Sequence, residues 1–401
     1  MIIRARVVVP LDGPPIENGA VAIDGERIVD VGGFDEVKAR NVAEVVDLGE
    51  QALLPGLINV HCHLDYTLLR GKISRQESFA DWIRAINSEK TKLSPQGYVE
   101  SINQGFAEAR RFGTTSIVNL TAFPELISRI HPPLRAWWFA ELIDVRSPEQ
   151  ASEIVDGAVE LLKSVANFGL APHAPYTASQ NLYRRCEETA RRGNILLTTH
   201  VAESREEMEM FRESRGTLSN FLSQLGRDDS DLHGVTPIEH IAKFCQLDDR
   251  WLLVHLNEIT MSDLEVLLRQ KTQPHIVHCP RSHEYFGHSH FKLGKLSTLG
   301  FNICLGTDSL ASNESLSLFA EMRAFHRSKQ KIAPKEILEM VTLNAARALH
   351  RENALGQIRS GFLADLISVP CGKPENVFEE IVAFDGTVSW MMIGGKAMAG
   401  L

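Results

Sequence analysis

Five histidines and one aspartate stand at the ends of apolar runs in this chain. His61 and His63 close LLPGLINVHCH, His200 closes NILLTTH and Asp308 closes FNICLGTD, while His173 and His255 lie in GLAPHA and WLLVHL. Imidazole nitrogens with one carboxylate oxygen are the donor set that borderline divalent ions such as zinc favour, and a catalytic site keeps one position open for water. Side chains alternate along a strand, so His61 and His63 share a face and Cys62 takes the other, which makes His-x-His a two-toothed clamp. A lone strand-end histidine is more often structural. His61, His63, His200 and Asp308 on one rim are different, because buried imidazoles and a buried carboxylate need partners to offset desolvation. Glu203 follows His200 by three residues, where strand gives way to helix, and is placed to face the same cavity without binding metal; the plain alternative is a helix-start carboxylate favoured by the dipole.

Elements able to bring these residues together are visible in the hydropathy pattern. Eight short apolar runs (LLPGLINV, TTSIVNL, RAWWFAEL, GLAPHA, NILLTTH, WLLVHL, PHIVHC and FNICLGTD) are spaced with room for a helix between each pair. Eight parallel strands close a (β/α)8 TIM barrel, whose catalytic groups gather at the C-terminal ends of the strands. Before this stretch, IIRARVVV, AVAID and RIVDVGG read as short strands with a turn at Gly25; after it, DLISVP and TVSWMMIGG are strand-like again. The expected organisation is a barrel over 56–350 beside a small discontinuous β-sandwich domain built from 1–55 and 351–401.

Composition narrows the function. The chain has 401 residues, 42 Lys plus Arg against 51 Asp plus Glu, a formal charge of −9, 44% hydrophobic and 23% charged residues. That excludes a disordered chain and opposes nucleic-acid binding, which asks for a basic stripe. No apolar run reaches the length of a membrane span and no secretory signal opens the chain, so a cytoplasmic enzyme that does not engage a membrane is expected. The six cysteines are scattered without a CxxC pair and read as reduced thiols. Asn119-Leu-Thr121 and Asn313-Glu-Ser315 are glycosylation sequons by chance. His283-Glu-Tyr-Phe-Gly-His288 imitates a zinc-protease signature, but its second histidine comes five residues on rather than four and would leave the helical face. The cytidine-deaminase pattern is absent, since Pro370-Cys371 runs on into Gly372-Lys373-Pro374.

Taken together, PGLINVHCH at 55–63, APHAPYTAS at 171–179, THVAE at 199–203, VHLNEIT at 254–260, GTDSLASN at 306–313 and GQIRSGFLADL at 356–366 resemble the amidohydrolase superfamily, in particular its aminohydrolase and chlorohydrolase branch. That branch includes adenosine-derivative, aminodeoxyfutalosine, guanine and triazine deaminases. The resemblance implies one divalent metal, zinc with iron as the alternative, on His61, His63, His200 and Asp308. Binuclear relatives use a fourth-strand lysine, which GLAPHAPY lacks. It further implies Glu203 as proton shuttle, with Asp308 and His255 assisting, and His173 and Trp82 as substrate contacts. Where many relatives carry Asn-Pro-x-Ser-Asn, this chain has His278-Cys-Pro-Arg-Ser-His283, so Arg281 and His283 are candidates to meet an anionic or hydroxylated tail. The substrate class is a heteroaromatic amine that reacts with water, with an adenosine-type nucleoside first. Guanine, pterin or triazine rings, another leaving group (chloride, alkylamine, formimino) and a catalytically silent interaction barrel are the alternatives. A homodimer is the family expectation.

Overall fold

The computed structural model describes residues 1–227, 232, 234–328 and 332–398, so 399–401 of the expected C-terminal segment lie outside the described residues. The chain begins with β1 (Ile2–Val8), β2 (Ile16–Asp24), β3 (Arg27–Gly33), β4 (Val45–Asp47) and β5 (Gln51–Pro55). The barrel strands follow: β6 (Leu57–His63), β7 (Thr114–Thr121), β8 (Arg135–Leu142), β9 (Phe168–Pro172), β10 (Leu196–Val201), β11 (Trp251–His255), β12 (His275–His278), β13 (Ile303–Leu305) and β14 (Asp308–Ser309). The chain returns through β15 (Leu366–Pro370), β16 (Trp390–Ile393) and β17 (Lys396–Ala397).

Two sheets divide these strands. The first runs β17-β16-β15-β5-β1-β2-β3 with β4 beside β1, so strands from both ends of the chain share one sheet. The second runs β13-β12-β11-β10-β9-β8-β7-β6-β14, and every pair in it is parallel. The eighth run is therefore two pieces. β13 pairs with β12, the chain steps across at Gly306 and Thr307, and β14 pairs with β6. This step closes a TIM-like barrel and carries Asp308 to the strand that bears His61 and His63. A buried apolar cluster takes residues from each of β6 to β13, among them Ile58, Val118, Phe139, Leu252 and Val277.

Two local expectations are adjusted. LLPGLINV is not one strand: it breaks at Gly56, where an added Cβ would lie 2.2 Å from the Thr115 side chain, and its halves enter different sheets. Between β7 and β8 the connection is a 3-10 turn, Pro124–Arg129, rather than a full helix; Pro132 and Pro133 follow it and withhold the donors a longer helix needs. Several of the longer helices begin at side-chain caps. Ser94 starts Pro95–Arg111 and Ser179 starts Gln180–Gly193, each accepting a hydrogen bond from a first-turn backbone N–H. All six cysteines are buried and unpaired. Among the described residues no helix is long and apolar enough to cross a membrane.

Candidate metal centre and active site

His61, His63, His200, His255 and Asp308 are each at least nine-tenths buried and meet at the C-terminal ends of β6, β10 and β11 and at the start of β14. His63 Nε2 lies 3.2 Å from His200 Nε2, His61 Nε2 lies 3.7 Å from Asp308 Oδ1, and His63 Nε2 lies 3.9 Å from that oxygen. Donors held about 2.0–2.1 Å from a tetrahedral ion stand roughly 3.4 Å apart, so these separations fit a shared cation. Both ring nitrogens of His61 are buried without a hydrogen-bond partner, an arrangement that costs free energy unless something else satisfies them.

The protonation states suit a cation as well. Burial holds the His61 imidazole below its ordinary pKa and the His63 imidazole well below, so both rings offer lone pairs. Burial alone would raise Asp308, but the His61, His255 and His63 imidazoles around it hold its carboxyl well below the usual range. Neutral rings beside an ionised carboxylate are what a divalent ion requires.

Neighbouring groups aim each donor. His200 Nδ1–H donates to the His173 carbonyl at 2.9 Å, which turns Nε2 toward the centre. The Glu141 carboxylate stands 3.6 Å from His63 Nδ1. Ser282 and Ser312 donate to Asp308 Oδ2 at 2.7 and 3.0 Å, leaving Oδ1 for the histidines. Four non-glycine residues here, Ala202, His255, Leu256 and Asp308, have φ between +50° and +78°. Left-handed backbone of this kind costs about 1–3 kcal/mol per residue and collects at functional sites.

Glu203 lies beside the donors. Its backbone is fixed at both ends, N–H donating to Glu207 Oε2 at 2.7 Å and the carbonyl accepting from Asn257 Nδ2 at 3.0 Å. Its Oε1 is 3.5 Å from His255 Nε2. Burial, then the charges of Asp308 and Glu207, push its carboxyl well above the ordinary value, which favours the protonated form. Burial also keeps His255 neutral by lowering its pKa well below the usual imidazole value. Above these residues opens a cavity of about 430 Å³, lined by Trp82, His173, Glu203, Phe79 and Tyr176 among others.

A model of the "Amidohydrolase family" matches residues 52–398, and an "Imidazolonepropionase-like composite domain, bacteria" matches residues 19–41. This chain belongs to the amidohydrolase family. It is a hydrolase acting on carbon–nitrogen bonds. Its relatives include the 5-methylthioadenosine/S-adenosylhomocysteine deaminases of Syntrophobacter fumaroxidans, 30% identical over 91% of this chain and 83% of the relative, and of Pyrococcus furiosus, 27% identical over 93% and 87%. Among solved structures, Helicobacter pylori aminofutalosine deaminase in complex with methylthio-coformycin aligns with a TM-score of 0.89 at 23% identity, covering 99% of both chains. An adenosine deaminase of Xanthomonas campestris with bound zinc aligns at 0.82 and 24%, covering 99% of this chain and 92% of its own.

The amidohydrolase rim thus brings together His61, His63, His200, His255, Asp308 and Glu203, with His173 and Trp82 on the cavity wall. Arg281 and His283 are not among the lining residues. The Arg281 guanidinium pairs with Glu314 at 2.8 Å, and His283 Nε2–H donates to the Ser289 carbonyl at 2.7 Å. Three contributors carried no sequence signal that was read: Glu141, Ser282 and Ser312. Glu141 offered one, a lone carboxylate near the end of the apolar run RAWWFAEL.

Proposed function

We propose that this amidohydrolase is a metal-dependent deaminase that releases ammonia from an adenosine-type nucleoside. The observation that carries the reading is Glu203: a buried carboxyl, its pKa raised by burial, beside the His/Asp donor set and facing an aromatic-walled cavity. The naming of its relatives as deaminases of 5-methylthioadenosine, S-adenosylhomocysteine and 5'-deoxyadenosine supports the substrate class.

His61, His63, His200 and Asp308 would hold one divalent ion, which we take to be zinc, with iron as the alternative. When bound, such an ion lowers the pKa of a water so that a nucleophile is available at neutral pH. The residues do the rest. Glu203 delivers its proton to the ring nitrogen beside the amine-bearing carbon, making that carbon electrophilic. As water adds, one of its protons replaces the one Glu203 gave, and Asp308 and His255 steady the addition. A C–O bond forms, the C–N bond breaks, and the second water proton departs with the amine as ammonia. The ring keeps the proton from Glu203 and becomes a lactam. Halide departure requires no such donor, so a buried Glu203 with a raised pKa favours amine release.

Trp82 and Phe79, stacked with centroids 6.0 Å apart, would form the wall against which the purine lies. Lys90 and Arg146 also line the cavity and form no ion pair among the described residues, which favours a substrate with a carboxylate-bearing tail. The reading includes a homodimer, a cytoplasmic location and a discontinuous β-sandwich from 1–55 and 351–401 beside the 56–350 barrel; the shared end sheet supports that division. The test is an ammonia-release screen of the zinc-loaded protein over 5-methylthioadenosine, S-adenosylhomocysteine, aminodeoxyfutalosine, guanine, pterins and aminotriazines. Turnover confined to adenosine derivatives is expected; turnover of guanine or a triazine alone would overturn the substrate class.

A further inference from the structure

The loop after β12 holds a histidine that the deamination chemistry leaves unused. The short helix Pro280–Phe286 ends at Gly287, whose φ of +67° reverses the chain, and His288 then sends its side chain inward. That side chain is only 7% exposed. The Phe286 and Phe79 rings flank it at 5.2 and 6.3 Å. Its neighbour Ser289 is tied down three times: its carbonyl accepts from His283 Nε2 at 2.7 Å, its hydroxyl accepts from Arg205 Nε at 3.1 Å, and its N–H donates to Glu258 at 3.3 Å. The imidazole is held, not loose.

His288 Nε2 is buried with no hydrogen-bond partner, and it lies 4.0 Å from Glu203 Oε1. The same oxygen is 3.5 Å from His255 Nε2. Two imidazole nitrogens therefore converge on one carboxyl oxygen. A separation of 4.0 Å exceeds a hydrogen bond, yet catalytic hydrogen bonds are commonly long before substrate is seated and tighten afterwards. Burial lowers the His288 pKa to about 3, so the ring is neutral in the working range and carries a single N–H. His288 also borders a second chamber of about 270 Å³ that shares Phe79 and Trp82 with the substrate cavity. A ring that presses on those two aromatics presses on the wall that fixes His288.

We propose that His288 is a positioning residue: its Nε2–H donates to Glu203 Oε1 in the substrate complex and thereby turns the other carboxyl oxygen toward the substrate ring. With Oε1 occupied as an acceptor, the transferable proton resides on Oε2. The inference rests on the deaminase reading of Glu203, and it adds a partner for that carboxyl outside the donor set.

The test compares His288→Phe, which fills the volume without a donor, with His288→Gln, which restores an N–H at similar reach. In the metal-loaded enzyme His288→Phe is expected to lower kcat by about 10- to 100-fold, the scale of a misplaced catalytic group, with KM and metal content unchanged. His288→Gln should recover most of that loss. A second measurement does not need turnover. In protein labelled with 15N-histidine, the His288 resonances should report the Nε2–H tautomer, and the Nε2 signal should move on Glu203→Ala. Wild-type kcat in His288→Phe, equal losses in both variants, or a resonance indifferent to Glu203→Ala would each overturn the proposal. If no adenosine derivative is turned over, the deaminase reading fails by itself, and the resonance still decides whether the two side chains are paired.

Discussion

Replacing Glu203 by Gln separates proton transfer from every other property of the site. The side chain is isosteric, and the contacts that fix residue 203 are made by its backbone, to Glu207 and Asn257. The substitution therefore leaves the fold and the His/Asp donors in place. What disappears is the titratable carboxyl, whose pKa is raised by burial and by the charges of Asp308 and Glu207. General acid–base transfer contributes about 10²- to 10⁴-fold, or roughly 3–5 kcal/mol at 1.36 kcal/mol per tenfold. Ammonia release at saturating substrate should fall by that factor, while metal content, measured by atomic emission on the same preparation, stays at the wild-type level. A Glu203→Gln enzyme within tenfold of wild-type kcat would refute the assignment of the shuttle.

Other residues give independent checks. Glu141→Gln removes the carboxylate beside His63 Nδ1 and should weaken metal affinity about 10- to 100-fold, read by competition with a chelator. Gly306→Ala places a Cβ 2.8 Å from the His61 carbonyl oxygen and Cβ; reduced metal content and a lowered Tm are expected, whereas a fully loaded, equally stable variant would contradict the closure described for β13 and β14. His275, at the opposite end of its strand from the cavity, has its pKa pushed by burial down to about 4 from 6.5. Between those values the unfolded chain binds a proton that the folded ring refuses, so stability falls as pH drops through the window, by about 3 kcal/mol in all. In denaturation of His275→Gln, the stability lost between pH 7 and 4 should be smaller than in the wild type by about that amount.

The donors were legible because residue type, spacing and strand ends agreed: an alternating His-x-His, a histidine closing the fifth run and an aspartate closing the eighth. Barrel order followed from the same runs. The closure did not, since hydropathy sees FNICLGTD as one segment and cannot see that Gly306 lets the chain step from β12 to β6. Nor does it see that Gly56 must lack a Cβ beside Thr115, which parts LLP from LINV. Supporting groups were hidden for a different reason. Ser282 and Ser312 find Asp308 from 26 and 4 residues away, and serine has no spacing that announces such a partner. Arg281 reads from sequence equally as a tail-binding fork or as half of a surface salt bridge, and spacing cannot choose between them; in the fold its guanidinium pairs with Glu314.

Diffraction collected at the absorption edge of the metal in purified protein tests the central claim most directly. One anomalous peak bounded by His61 Nε2, His63 Nε2, His200 Nε2 and Asp308 Oδ1 is the expected result. A peak seated instead on Glu141 and His173, or none at all in protein that releases ammonia, would contradict the account.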